Sequence, residues 1–227
     1  SELYSKLYNK GVLKELSPEL EKLSNEGKIS REFVKNSGYP SGIYAIPVAV
    51  DFSLMAVNKE VLKRFGFEEI GDNWTWSDYQ RMCRALGSEN MDFGFSWEDG
   101  VYSNGGRIID NLGKEDFLNS TEVLNAVNFV YRLNESGRSK PNIGEFTKGN
   151  AAFERLNSVD CINMDFELSD IDFLPMPAGP RGGNISKAEC IYICIGSNSK
   201  NKDKALDFVN IILGDKVQAK IANSGYG

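Results

Sequence analysis

Hydrophobic residues recur along this chain at two spacings, one helical and one of strands. In "KALDFVNIILG" the apolar positions Ala205, Leu206, Val209, Ile212 and Leu213 form the stripe of an amphipathic helix, which Gly214 closes. "TWSD" at 75–78 reads as a capping box. Tyr79, Met82, Cys83 and Leu86 follow it at helical spacing, up to a stop at Gly87. "NSTEVLNAVNFVYRLNESG" sets Val123, Val127, Val130 and Tyr131 on one face of a third helix that ends at Gly137. Near the start, Leu3, Leu7 and Tyr8 precede a break at Gly11. A short helix with Leu16, Leu20 and Leu23 follows, for which Ser17 is the expected N-cap and Pro18 the first helical residue.

Between these stripes lie short apolar runs of strand character. "IYAIPVAV" is rich in β-branched and aromatic residues, and Pro47, which cannot donate to a ladder, places it at an edge, a bulge or a crossover. "CINM" and "DIDFLPMP" read as two short strands ahead of the turn-forming loop "PAGPRGG". "IYICI" at 191–195 is apolar on both faces, as in a strand covered by helices on either side. Strands alternating with helices predict an α/β architecture.

Composition then removes whole classes of function. The 227 residues are 41% hydrophobic and 11% aromatic, enough for one large domain or two small lobes. With 26 basic against 32 acidic residues the net charge is −6, and no basic cluster tracks a phosphate backbone, so nucleic acid is not an expected partner. No run reaches the roughly 18 apolar residues of a membrane span, and "SELYSKLYNK" lacks the regions of a secretory signal. The absence of histidine removes the commonest general base and most zinc sites. The four cysteines Cys83, Cys161, Cys190 and Cys194 show no C-x-x-C spacing. On one strand Cys190 and Cys194 stand roughly 13 Å apart, about twice the reach of a disulfide. All four are expected as reduced thiols, and neither metal nor cofactor is expected.

In order along the chain stand "GIYAIPVAVDFSLMAVNKEVLKRFGF", "TWSDYQRMCRAL", "SNGGRIIDNLGK", "FTKGNAAF", "FLPMPAGPRGG" and "IGSNSKNKDKALDFVNIILGDKVQAKIANSGYG". This series, over nearly the whole chain, resembles the extracellular solute-binding proteins that serve ABC importers of sugars and oligosaccharides. The resemblance implies a type II periplasmic-binding-protein fold: two α/β lobes joined by crossover strands, with ligand in the cleft between them. On that map residues 1–42 are part of the N-terminal lobe and 43–51 the crossover strand. Residues 52–187 are the C-terminal lobe, and 188–227 return to the first. It further implies a fold incomplete at both ends, the chain being an internal fragment whose signal peptide and lipid-anchor cysteine lay in a missing N-terminal part. The implied partners are a small carbohydrate and the membrane permease of the importer, for a monomer at the cell surface or in the periplasm.

The resemblance also nominates a site. Asp51 matches the carboxylate that follows the crossover strand and accepts sugar hydroxyls, chemistry that suits a group with about four acceptor sites. The competing reading of Asp51 is a strand-end residue that caps the next turn. "GFSWEDGVYSNGG" supplies Phe95, Trp97 and Tyr102 where relatives place aromatic platforms for the apolar face of a sugar, Trp97 first among them. Glu189 joins the ligand set, although the stretch around Glu189 and Cys190 departs from the usual glycine pair and aromatic. Trp74 and Trp76 flank a helix start and read as structural. After "GNAAF" the chain has Val159 near the position of a sugar-stacking tryptophan, so stacking there is expected to be lost. Arg155, Asn157 and Asp160 read as solvated loop residues that could supply polar contacts instead.

Two rivals remain at this point: a ligand sensor of the same fold without transport, and a glycoside-active enzyme pairing Asp51 with Glu98 or Asp99. "DNLGKED" at 110–116 faintly resembles an acidic calcium loop but lacks its pattern and fits a hairpin turn better.

Overall fold

The computed structural model describes residues 2–36, 38–87, 92–110, 115–135, 143–163 and 171–227. The chain divides into two compact units. Unit 1 holds Ser1–Asp51, Ala188–Gly227 and, of the described residues between, Glu115; unit 2 holds Phe52–Asp110 and Asp116–Lys187.

Unit 1 opens with α1 (Glu2–Asn9), α2 (Ser17–Asn25) and α3 (Arg31–Asn36), then an antiparallel pair of β1 (Gly38–Tyr39) and β2 (Gly42–Ile43). Gly11, at φ 65°, supplies the left-handed turn after α1. Pro18 sits in the first turn of α2, but the N-cap is Leu16 and not Ser17. The Ser17 hydroxyl is used elsewhere: its Oγ accepts the Ile43 N–H at 3.0 Å and ties the helix start to β2. Leu16, Leu20 and Leu23 pack with Ile46, Val48, Ile195, Val209 and Leu213. Those last residues bring in α10 (Lys202–Ile212), which α11 (Asp215–Ala222) follows. The stripe expected at 205–213 is the buried one. A tyrosine cluster surrounds Ala45, with Tyr8 stacked on Tyr39 at 3.7 Å.

β3 (Ile46–Asn58) is 13 residues long and runs from unit 1 into unit 2. Asp51 is therefore a mid-strand residue, and the reading of it as a strand-end cap fails because no turn follows before Asn58. β7 (Ala188–Ile193) pairs with β3. It is not sandwiched as expected: Ile191 is exposed, while Ile193 packs on the unit 1 core.

In unit 2 the sheet order is β4 (Asp92–Phe93), β5 (Ala151–Asn157), β3 and β6 (Ile171–Leu174). β5 and β6 run antiparallel to β3, with Met55 opposite both Arg155 and Leu174, and β4 runs parallel to β5. Asn58 ends β3 and caps α4 (Lys59–Arg64), its Oδ1 accepting the Val61 N–H at 3.0 Å. The capping box forms as expected. The Thr75 N–H donates to Asp78 Oδ2 at 3.0 Å, and the Asp78 N–H donates to Thr75 Oγ1 at 3.3 Å. α5 (Trp76–Gly87) then buries Tyr79, Met82, Cys83 and Leu86.

Two expectations fail here. α7 (Thr121–Glu135) buries Val123, Ala126, Phe129 and Leu133, whereas Val127 and Tyr131 are exposed, Tyr131 at 61%. The helix carries apolar residues around much of its circumference, and Phe129, stacked on Trp76 at 4.4 Å, fixes which face turns inward. After α8 (Ile143–Thr147) and β5, the run read as the strand "CINM" is instead α9 (Ser158–Asn163), started by Asp160, whose Oδ2 accepts the Asn157 N–H at 3.1 Å. Met164, Gly137 and the centre of "DNLGKED" lie outside the described residues. An isolated antiparallel bridge joins Ile109 to Asp116.

Candidate functional site

The aromatic segment singled out above forms α6 (Trp97–Ser103) in unit 2. Ser96 starts it, its Oγ accepting the Asp99 N–H at 3.3 Å. Gly100 allows close packing on α7, since a Cβ there would stand 3.3 Å from that of Ala126 and 3.1 Å from the Phe95 ring.

The far end of α6 is clamped by the loop "PAGPRGG". The Gly179 and Gly183 N–H groups both donate to the Ser103 carbonyl, at 2.9 and 3.1 Å. The Arg181 N–H donates to Asn104 Oδ1 at 3.0 Å, and Asn104 Nδ2 donates to the Glu122 carbonyl at 3.0 Å. Gly182 lies so close to Ser103 and Gly105 backbone that no Cβ fits. This scaffold fixes Trp97, the first residue of the helix, with 37% of its surface exposed.

Beneath α6 lies a polar cluster. Asp99 is 1% exposed, and its Oδ2 accepts the Arg155 Nε–H at 3.0 Å. Arg155 Nη2 donates in turn to Ser53 Oγ at 2.7 Å, and Ser53 is also buried. The register explains the contact: Arg155 opposes Met55, so Ser53 is its diagonal neighbour on the same face of the sheet. Asp99 Oδ1 is enclosed with no hydrogen-bond partner among the described residues. Arg155 is thus a strand residue bound to two buried groups and not the solvated loop residue expected. Its signal was present in the strand "AAFERLN", where charge inside an apolar run demands a partner. The partner, 56 positions away, was not readable.

Of the other predicted residues, Phe95 is buried in the unit 2 core, edge-on to Phe129 at 5.4 Å and against Tyr79 at 5.2 Å, so its ring supports α6 and offers no open face. Tyr102 is half-buried on α6, about 140° around the helix from Trp97. Asp51, half-buried in β3, and Glu189, exposed on β7, belong to unit 1. Trp74 and Trp76 are buried as expected, their Nε1–H groups donating to the Pro175 carbonyl at 2.9 Å and Ser103 Oγ at 3.2 Å. Of the two carboxylates that the enzyme reading offers as partners of Asp51, Glu98 is exposed, while Asp99 is enclosed and bound to Arg155.

A separate groove of about 700 Å³ opens beside α4 and β6, where Lys59 pairs with Asp172 at 2.9 Å. Its lining is of mixed charge and shares no residue with the α6 site. Among the described residues no group of three or more His, Cys, Asp or Glu side chains is placed to hold a metal, and no helix is long and apolar enough to cross a membrane. All four cysteines are free thiols, and burial pushes the Cys83 thiol far up.

The fold and the sequence are similar to those of known proteins. A protein of Brucella abortus (strain 2308), named as a binding protein, is 21% identical over 224 residues, covering 88% of this chain and 54% of its own. The chain therefore spans about half the length of the curated relatives it matches. Maltose-bound MalE3 of T. maritima superposes with a TM-score of 0.72 at 18% identity, over 98% of this chain and 63% of that one. UgpB from Mycobacterium tuberculosis, in complex with glycerophosphocholine, gives 0.75 at 16% identity, over 99% and 61%. These likenesses establish the α/β fold as that of the type II periplasmic binding proteins. The family of bacterial extracellular solute-binding proteins matches residues 2–219. With nearly its whole length so matched, the chain belongs to the bacterial extracellular solute-binding proteins.

Proposed function

We propose that this chain captures a sugar or oligosaccharide outside the cytoplasmic membrane and delivers it to the permease of an ABC importer. Trp97 stacks on the apolar face of a sugar ring, Tyr102 offers a second aromatic face, Asp51 accepts ring hydroxyls, and Glu189 adds a polar contact. In this reading residues 1–42 with 188–227 and residues 52–187 act as the two lobes joined by the strand at 43–51. The protein works as a monomer, in the periplasm or held at the cell surface by a lipid anchor.

The observation that carries the reading is the exposed indole of Trp97, fixed at the start of a clamped helix while the other two tryptophans are buried. A large aromatic face left open suits a pyranose, whose C–H face is apolar and whose rim is hydroxylated. Maltose-bound MalE3 supports the solute class.

The test is tryptophan fluorescence and calorimetry with a panel of mono- and oligosaccharides. A saturable change that is lost in Trp97→Ala reports Trp97. Binding that weakens about tenfold or more in Trp97→Ala, at an unchanged melting point, is expected. Sugar affinity indifferent to that substitution overturns the site, and no sugar binding at all overturns the solute class.

A further inference from the structure

A guanidinium has two edges that can each grip a pair of acceptors. One is formed by Nε–H with an Nη2–H, the other by Nη1–H with the second Nη2–H. In Arg155 the first edge is occupied by Asp99 and Ser53, at 3.0 and 2.7 Å. The second is open: the side chain makes no further hydrogen bond or ion pair among the described residues.

This arrangement is not the best one for a purely structural ion pair. Two parallel bonds, from Nε and Nη2 to both carboxylate oxygens, would satisfy the pair most fully. Here Asp99 receives one bond, its Oδ1 is left enclosed without a partner, and Nη2 turns to Ser53 instead. The result holds the guanidinium plane from two buried points while 26% of the side chain stays exposed. A rigid, half-desolvated fork of this kind matches two oxygens of one carboxylate or phosphate.

From this geometry we infer that the solute is acidic: a sugar or polyol bearing a carboxylate or phosphate, two of whose oxygens seat on the open edge of Arg155. The inference rests on the proposed sugar-binding role and narrows it. With a net charge of −6 the chain does not draw anions by its overall field, so discrimination falls to this one preorganised group.

Calorimetry on the full chain with glucose, glucuronate and glucose 6-phosphate tests it. The variants are Arg155→Lys, which keeps the charge but cannot present two donors in a plane, and Asp99→Asn/Arg155→Gln, which removes both charges and leaves no buried ion unpaired. At least one acid should bind the unsubstituted chain about tenfold or more tighter than glucose. Arg155→Lys should lose most of that preference and the double variant all of it. Glucuronate alone preferred identifies a carboxylate ligand, glucose 6-phosphate alone a phosphate. Glucose binding at least as tightly as both acids, or an acid preference that survives in both variants, overturns the inference and leaves the sugar-binding reading standing. Binding of none of the three overturns the inference, while the wider panel of mono- and oligosaccharides decides the sugar-binding reading.

Discussion

Arg155 and Asp99 meet through a single 3.0 Å contact in which the carboxylate is enclosed and the guanidinium partly solvated. The two partners are therefore unequal when removed. Arg155→Met strands a buried carboxylate, a change that costs about 3–5 kcal/mol. Adding Asp99→Asn to it removes the stranded charge and should recover at least half of that loss. Urea unfolding of both proteins measures the difference. A single substitution costing under about 1 kcal/mol would mean that water reaches Asp99.

The glycines that close on α6 make a second prediction. Gly182 has no room for a Cβ against the Ser103 carbonyl and the Gly105 backbone, neither of which can swing aside as a side-chain tip could. Gly182→Ala should cost about 1–3 kcal/mol, the range for forcing an atom into packed structure. It should also alter the fluorescence of Trp76, whose Nε1–H is bonded to Ser103. Gly149→Ala is the control. Its Cβ would meet no atom within 4 Å, so only the strain of φ 75° is added and the tryptophan signal should stay as it was.

How far the sequence reaches is visible in these elements. The 76–87 helix was legible because its cap and stripe are local: Thr75 finds Asp78 three residues on. The stripe at 205–213 was legible for the same reason. The face of α7 was not, since Val127 and Tyr131 are as apolar as the residues that were buried, and the choice is made by Trp76 and Gly100 on other elements. "CINM" was misread because a four-residue apolar run fits strand or helix equally, and the local Asp160 cap decided it. Among the candidate residues, Trp97 stood out as an aromatic in a glycine-rich stretch and Asp51 as a carboxylate beside an apolar run. The Asp99–Arg155–Ser53 cluster did not, because three elements assemble it and no spacing in the chain encodes their approach.

The thiols give a pH-dependent prediction. Burial raises the Cys83 pKa, its hydrogen bond with Tyr79 opposing the shift. The folded chain thus keeps a neutral thiol where the unfolded chain would ionise. The stability from this group is fully present below the unfolded-state value of about 8.5 and declines as pH rises beyond it, at up to about 1.4 kcal/mol per pH unit. Cys83→Ala should flatten the loss between about pH 8.5 and 10. In thiol titration all four cysteines should react after unfolding and Cys83 last in the folded chain. Fewer than four reactive thiols in denaturant would reveal a disulfide.

Asp51 and Trp97 allow binding to be separated from folding. Each is only partly buried, and neither belongs to a core cluster. If Asp51 accepts sugar hydroxyls, Asp51→Asn keeps its size but removes the charge and turns one acceptor into a donor. A hydrogen bond to a charged group is worth about 1.5–3 kcal/mol, so affinity should fall roughly tenfold to a hundredfold. Asp51 is half-buried and lies outside the core clusters, so stability should change by less than about 1 kcal/mol. Trp97→Ala removes the stacking face and should weaken binding by a similar factor, while the Ser96 cap that starts α6 is retained. Calorimetry and thermal melting on both variants decide the matter: a lowered melting point with unchanged affinity at both positions would place the ligand elsewhere on the molecule.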